Sequence, residues 1–287
     1  MEADLAIPDL KRKLLAEVRA LFQPNGSAWK VPILQVLQDL KQAEVQAVLF
    51  GGTLRSLLVS RLFEGRLGRP RDIDVVVLGA PLSELTKRFQ GIIARQTRFG
   101  GLKLRNGHWH FDVWPLEETW AFRKDKLVAR FEDLPSTTTF NLEAIAVEVW
   151  SKDRKPRALF SGHDQFFHGI LSKTLELNRT DSPFPELTVV RAVIMASELR
   201  FKIGPCLAAY IADIATTLSE KDIDEIQANH YGYSRVTGHT LKQIMQVISR
   251  RSSTSKNVEL PRMGQLHLWE AELDTVPHIN LHFLAGC

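Results

Sequence analysis

Cysteine is nearly absent: Cys206 and Cys287 are the only two in the chain. With no metal-type spacing between them, neither a disulfide framework nor a zinc ligand set is supported, and a cytoplasmic setting follows. Long apolar runs are missing too. DVVVLGAPL and AIAVEVW fall far short of the roughly 20 residues needed to cross a bilayer. The opening MEADLAIPDLKRKLL lacks the continuous apolar stretch of a secretory signal, so no membrane partner is expected. Nor is there a strong excess of one charge. A net charge of +4 and a pI near 9.1 permit contact with nucleic acid without requiring it. No internal repeat is visible. What remains is a chain of 287 residues with 44% apolar content, enough for a sizeable core in one or two domains.

Periodicity divides the chain into three segments, 1–44, 45–160 and 161–287. In the first, residues 8–22 and 31–44 carry apolar residues at helical spacing, and the first of these helices has a basic opposite face. In the second, short β-branched runs alternate with Gly, Pro and Asn. They predict strands near 45–50, 72–78, 92–98, 101–106, 108–114 and 142–150, and helices at about 53–63 and 81–90. In the third, HDQFFHGILSKTLEL, PELTVVRAVIMASELRF, GPCLAAYIADIATTL, SEKDIDEIQANH and GHTLKQIMQVISR all have helical patterns. Residues 250–262 form a polar linker candidate and 263–287 are weakly patterned. The expected fold class is therefore α+β: N-terminal helices, a mixed-sheet domain, then an all-helical C-terminal region.

The chemistry concentrates in VLFGGTLRSLL and RDIDVVVL. Asp72 and Asp74 are one position apart on a predicted strand, so both side chains point to the same face. Two like charges there call for a counter-charge, and Mg²⁺ characteristically uses a couple of carboxylates together with waters and phosphates. Gly51 and Gly52 follow a strand and precede a helix, where backbone N–H groups and the positive helix terminus can approach a triphosphate. Thr53 adds a hydroxyl at the helix start, and Arg55 a cation. A third carboxylate from a neighbouring strand would complete a two-metal site. Asp112 is the candidate, ending a strand on which His108, His110 and Asp112 share a face. The histidines are expected to pack or to support neighbouring groups, because imidazole suits zinc better than magnesium.

GGTLRSLL followed by RPRDIDVVV resembles the head motif of the polymerase-β-type nucleotidyltransferase superfamily, in its poly(A) polymerase and tRNA CCA-adding branch. That branch carries GG-x-[VL]-R-D and then D-x-D. TFNLEAIAVEV is similar to the family strand F-T-I-N-A-L-A, and LTVVRAVIMASELRFKI to a later family helix, so the likeness spans roughly residues 45–205 in the family's order. The resemblance implies a nucleotidyltransferase head domain over 45–160, with a helical neck-like region after it. It implies transfer of NMP from an NTP to an acceptor hydroxyl, with two Mg²⁺ ions held by Asp72, Asp74 and Asp112. Gly51, Gly52, Thr53, Arg55 and Arg191 would bind the nucleotide, and the 3′ end of tRNA or another RNA would be the acceptor.

The chain also departs from the family pattern. Ser56 stands where the family has Asp, Glu143 where it has Asn, and Thr137, Thr138 and Thr139 where it has Arg-Arg-Asp. Pro185 and Thr188 occupy the positions of the acidic-plus-arginine pair that reads the incoming base in tRNA-repairing members. Two other readings therefore stand beside the first. One is a protein- or small-molecule-modifying, toxin-like nucleotidyltransferase; the other is a non-catalytic nucleotide- or RNA-binding module.

Overall fold

In the computed structural model the described residues are 6–23, 30–63, 70, 72–150, 156–252 and 256–261. The weakly patterned tail and Cys287 lie outside them, as does part of the linker candidate. The chain forms two compact units, Met1–Thr138 with Leu142–Ile170, and Thr139–Asn141 with Leu171–Cys287. This division differs from the three segments expected: the N-terminal helices belong to the same unit as the sheet, and a short stretch from mid-chain belongs to the second unit. No described helix is long and apolar enough to cross a membrane.

The first unit opens with α1 (Ile7–Phe22) and α2 (Val31–Gln42). Leu10, Leu14, Val18 and Leu21 recur at turn spacing along α1 and are buried, which is why this segment is a helix packed on one face. Strand β1 (Gln46–Phe50) leads into α3 (Gly52–Leu62), then β2 (Asp72–Leu78) and α4 (Leu82–Phe89). Next come β3 (Ile93–Gln96), β4 (Leu102–Asn106), β5 (Trp109–Pro115) and the short helix α5 (Trp120–Asp125). Strands β6 (Ala146–Glu148) and β7 (Leu159–Phe160) follow, then α6 (Gln165–Ser172), whose last two residues fall in the second unit.

The seven strands form one mixed sheet in the order β3-β4-β5-β2-β1-β6-β7, with β2 and β5 parallel and the other neighbours antiparallel. The run DIDVVVL explains the central place of β2. Ile73, Val75, Val76 and Val77 are fully buried, so both faces of this strand are covered beyond its acidic start. On the face shared by Val48 and Val76, a cluster of Leu116, Phe122, Phe131, Leu134 and Ala146 closes the apolar end, with Phe50 and Trp114 packed against it.

The second unit contains β8 (Thr174–Leu175), α7 (Pro185–Leu199), β9 (Lys202–Ile203), α8 (Pro205–Ala215), α9 (Glu220–Tyr231) and α10 (Gly238–Arg251). It is a helical unit that, unlike the expected all-helical region, also contains a two-residue parallel ladder between β8 and β9. The helix expected over 163–177 stops at Ser172, where Lys173 takes a left-handed φ of 51° and the chain turns into β8.

Candidate active site

Alternation along β2 turns Asp72 and Asp74 to one face, with the buried Ile73 between them on the other. The parallel pairing with β5 sets Asp74 opposite Asp112 and Asp72 opposite His110, so all four side chains leave the sheet on the same side. Farther along that face come Val76 and Trp114. One sheet face thus begins acidic and ends apolar. Asp112 lies mid-strand rather than at a strand end, and His108 is off the strand, in the two-residue turn with Gly107.

Asp74 carries the strongest electrostatic signature. Burial pushes its carboxyl up to about 7, the negative charges of Asp112, Asp72 and Glu143 add to the rise, and a hydrogen bond with Thr53 opposes it. The neighbours divide the charge between them. Lys103 Nζ stands 2.8 Å from Asp112 Oδ2 across the β4–β5 pairing, and His110 Nδ1 lies 3.7 Å from Asp72 Oδ1. Among the described residues no three His, Cys, Asp or Glu side chains converge as a ready-made ligand set. The donor chemistry nonetheless fits a hard divalent cation. Its members are carboxylates on one face that repel one another, and Lys103 already stands at one of them as a positive charge.

The turn after β1 supplies the second half of the site. Gly51 has φ of 53° and ψ of −114°, a conformation open to glycine, and its N–H donates to the Ile145 carbonyl at 3.0 Å. Space is tight at Gly52: a Cβ there would lie 3.3 Å from Asp74 Oδ2 and 3.5 Å from Arg55 Nη2. The start of α3 and the acidic end of β2 therefore touch.

Thr53 plays a different part from the phosphate contact expected of it. It is 1% exposed; its hydroxyl accepts from the Asp74 N–H at 2.7 Å and lies 3.2 Å from the Asp72 carbonyl and 3.3 Å from Asp74 Oδ2. It fastens α3 to the acidic strand. Arg55 Nη1 donates to Glu143 Oε1 at 3.0 Å, and the two side chains are 16% and 13% exposed. Arg191 belongs to the second unit, on α7, with its guanidinium 5.6 Å from the ring centre of Phe140.

Two participants were not anticipated. Glu143 departs from the family motif, and nothing in its local sequence pairs it with Arg55. Lys103 could have been found. Gly107-His108, with glycine at the first turn position, makes a two-residue hairpin turn, and counting back from it places position 103 opposite 112. Among the other departures, the Thr137 and Thr138 hydroxyls donate to the carbonyls of Leu134 and Pro135, Pro185 starts α7, and Thr188 is buried with its hydroxyl 2.8 Å from that of Ser182.

No protein-family model and no curated sequence matches the chain. Solved structures do share its fold. A CCA-adding enzyme in complex with CTP matches with a TM-score of 0.56 at 15% identity, over 92% of this chain and 59% of the other. The Thermotoga maritima CCA-adding enzyme complexed with tRNA matches with a TM-score of 0.52 at 15% identity, over 93% and 57%. A tRNA-processing enzyme in an apo form matches with a TM-score of 0.50 at 18% identity, over 76% and 55%. The chain thus has the fold of the head and adjoining helical region of such enzymes, and it spans between half and two thirds of their length.

Proposed function

We propose that this chain is a magnesium-dependent nucleotidyltransferase, moving NMP from an NTP to an acceptor hydroxyl at the 3′ end of tRNA or another RNA, with release of pyrophosphate. The observation that carries the reading is the juxtaposition of Asp72, Asp74 and Asp112 on one sheet face with the Gly51–Gly52 turn, within contact distance of Asp74. Enzymes sharing this fold have been captured with CTP and with tRNA, which supports an NTP and a tRNA-like acceptor.

Asp72 and Asp74 would hold the cations, with Asp112 completing the set once its carboxylate exchanges Lys103 for a metal. Bound divalent ions supply charge stabilisation to the phosphates and lower the pKa of the attacking hydroxyl. The chain's own residues do the rest. The glycine turn lets phosphate oxygens approach the first N–H groups of α3, where the helix dipole favours an anion. Arg55 adds a fixed positive charge beside that turn. Thr53 holds the two elements in register, so that carboxylates and turn face the same substrate; positioning of this kind accounts for much of the rate in phosphoryl transfer.

A second reading, a non-catalytic nucleotide-binding module, is favoured by the Lys103–Asp112 pair, which ties up one of the three carboxylates. A labelling screen separates the two. Each α-labelled NTP is incubated with the purified chain and Mg²⁺, in separate arms with tRNA transcript, total RNA, protein extract or no acceptor. Label transferred to RNA supports the proposal. Label on protein moves the acceptor class, and Mg²⁺-dependent binding with no transfer in any arm sinks catalysis.

A further inference from the structure

Glu143 sits in a position that electrostatics alone would disfavour. It precedes β6, and the Gly51 N–H bond to Ile145 ties that segment to the glycine turn. A Cβ on Gly51 would lie 3.6 Å from the Glu143 carbonyl oxygen and 3.8 Å from its Cβ. A carboxylate so close to a turn read as a triphosphate cradle repels the ligand it serves, and it adds to the negative charge already around Asp74. Its ion pair with Arg55 offsets that charge. The pair is largely shielded, Nη1 is bonded to Glu143, and Nη2 lies 3.5 Å from the place a Gly52 side chain would take. An arginine near a helix start has many rotamers, and ordering it on binding costs entropy. Here the guanidinium is already held over the turn.

Resting on the nucleotide-binding reading above, we infer that Glu143 is a positioning residue: it orients the Arg55 guanidinium over the Gly51–Gly52 turn so that the arginine meets the NTP phosphates without reordering. Two other roles for the same carboxylate, a simple repelling charge and an additional cation ligand, predict different signs. A repelling charge, once removed, tightens NTP binding. Loss of a cation ligand raises the Mg²⁺ concentration required and leaves affinity at saturating Mg²⁺ unchanged.

The test is a double-mutant cycle on the full chain, with equilibrium binding of ATP and CTP measured across a Mg²⁺ titration. The variants are Glu143→Ala, Glu143→Gln, Arg55→Ala and the Arg55→Ala/Glu143→Ala pair. Loss of a charge-assisted hydrogen bond predicts that Glu143→Ala weakens NTP binding about tenfold at saturating Mg²⁺. Glu143→Gln, which keeps an acceptor for Nη1 and is checked for an unchanged melting temperature, loses less. In the Arg55→Ala background Glu143→Ala changes affinity by less than about twofold, because the two residues act as a unit. Tighter binding in Glu143→Ala, an equal loss in both backgrounds, or a shift confined to the Mg²⁺ midpoint overturns the inference and leaves the nucleotidyltransferase reading standing. Absence of Mg²⁺-dependent NTP binding by the unmodified chain overturns both.

Discussion

Asp74 is the residue on which the most can be measured. Its carboxyl is raised from 3.8 to about 7 by burial and by the charges of Asp112, Asp72 and Glu143, so protons bind the folded chain more tightly than the unfolded one. The stability this contributes is complete below the unfolded value and is lost as pH rises through about 7. In EDTA, the melting temperature should therefore fall from pH 5 to pH 8, and Asp74→Asn should flatten that slope. Mg²⁺ should restore stability at the upper end for the unmodified chain alone. The same substitution, or Asp72→Asn, is expected to abolish transfer while the melting temperature holds or rises; substantial retained transfer would rule out the carboxylate assignment. Asp112 and Lys103 form a matched pair of tests. Asp112→Ala should lower the single-turnover rate more than it weakens NTP binding. Lys103→Met should lower the Mg²⁺ midpoint by about threefold, the modest size expected for a partly exposed ion pair.

Among the elements, the turn between β1 and α3 is the most sensitive to a single methyl group. Gly51→Ala puts a side chain at positive φ and should destabilise the chain by about 1–2 kcal/mol in denaturant unfolding. Gly52→Ala should cost less stability, because its backbone is helical, yet it places a methyl against Asp74 and Arg55 and should weaken NTP binding. The sequence made these elements legible wherever pattern and tertiary demand agree. DIDVVVL is both strongly β-branched and central, and β2 spans the residues predicted for it. The strand expected over 142–150 shortened to Ala146–Glu148, because Asn141–Glu143 form a helical turn instead. The backbone and side chain of Asn141 are engaged by Glu176 and Thr174, residues no local pattern could connect to it. Helix α5 and strand β7 were missed for a related reason: each is short, and packing against the Val48–Val76 cluster rather than periodicity holds it in place. The acidic face of the site was readable from alternation, whereas the ion pairs that tune it required the pairing of distant strands.

At the scale of the whole chain, the nucleotidyltransferase reading raises the question of which nucleotide would be added. An enzyme separates bases strongly when the wrong one leaves buried polar groups unpaired. At the positions that the family resemblance matches to a base-reading charged pair, this chain has Pro185 at the start of α7 and a buried Thr188 bonded to Ser182. Programmed addition of C, C and A is therefore expected to fail, leaving one nucleotide type or a poorly discriminated mixture on the RNA. Sequencing the 3′ ends of tRNA transcripts that lack CCA, after incubation with all four NTPs, gives the answer. Faithful restoration of CCA would show that base selection resides elsewhere in the molecule.

The three residues Thr139–Asn141 carry a consequence for how the molecule can be taken apart. They belong to the second unit although the chain on both sides of them belongs to the first. The Thr139 carbonyl accepts from the Asn178 N–H, Phe140 bridges Leu177, and Asn141 Nδ2 donates to the Thr174 carbonyl. A fragment starting at residue 171 loses all of these at once, each hydrogen bond contributing about 0.5–1.5 kcal/mol net. No single cut yields both units whole, so a fragment starting at residue 171 should unfold at a lower denaturant concentration than the same residues in the intact chain.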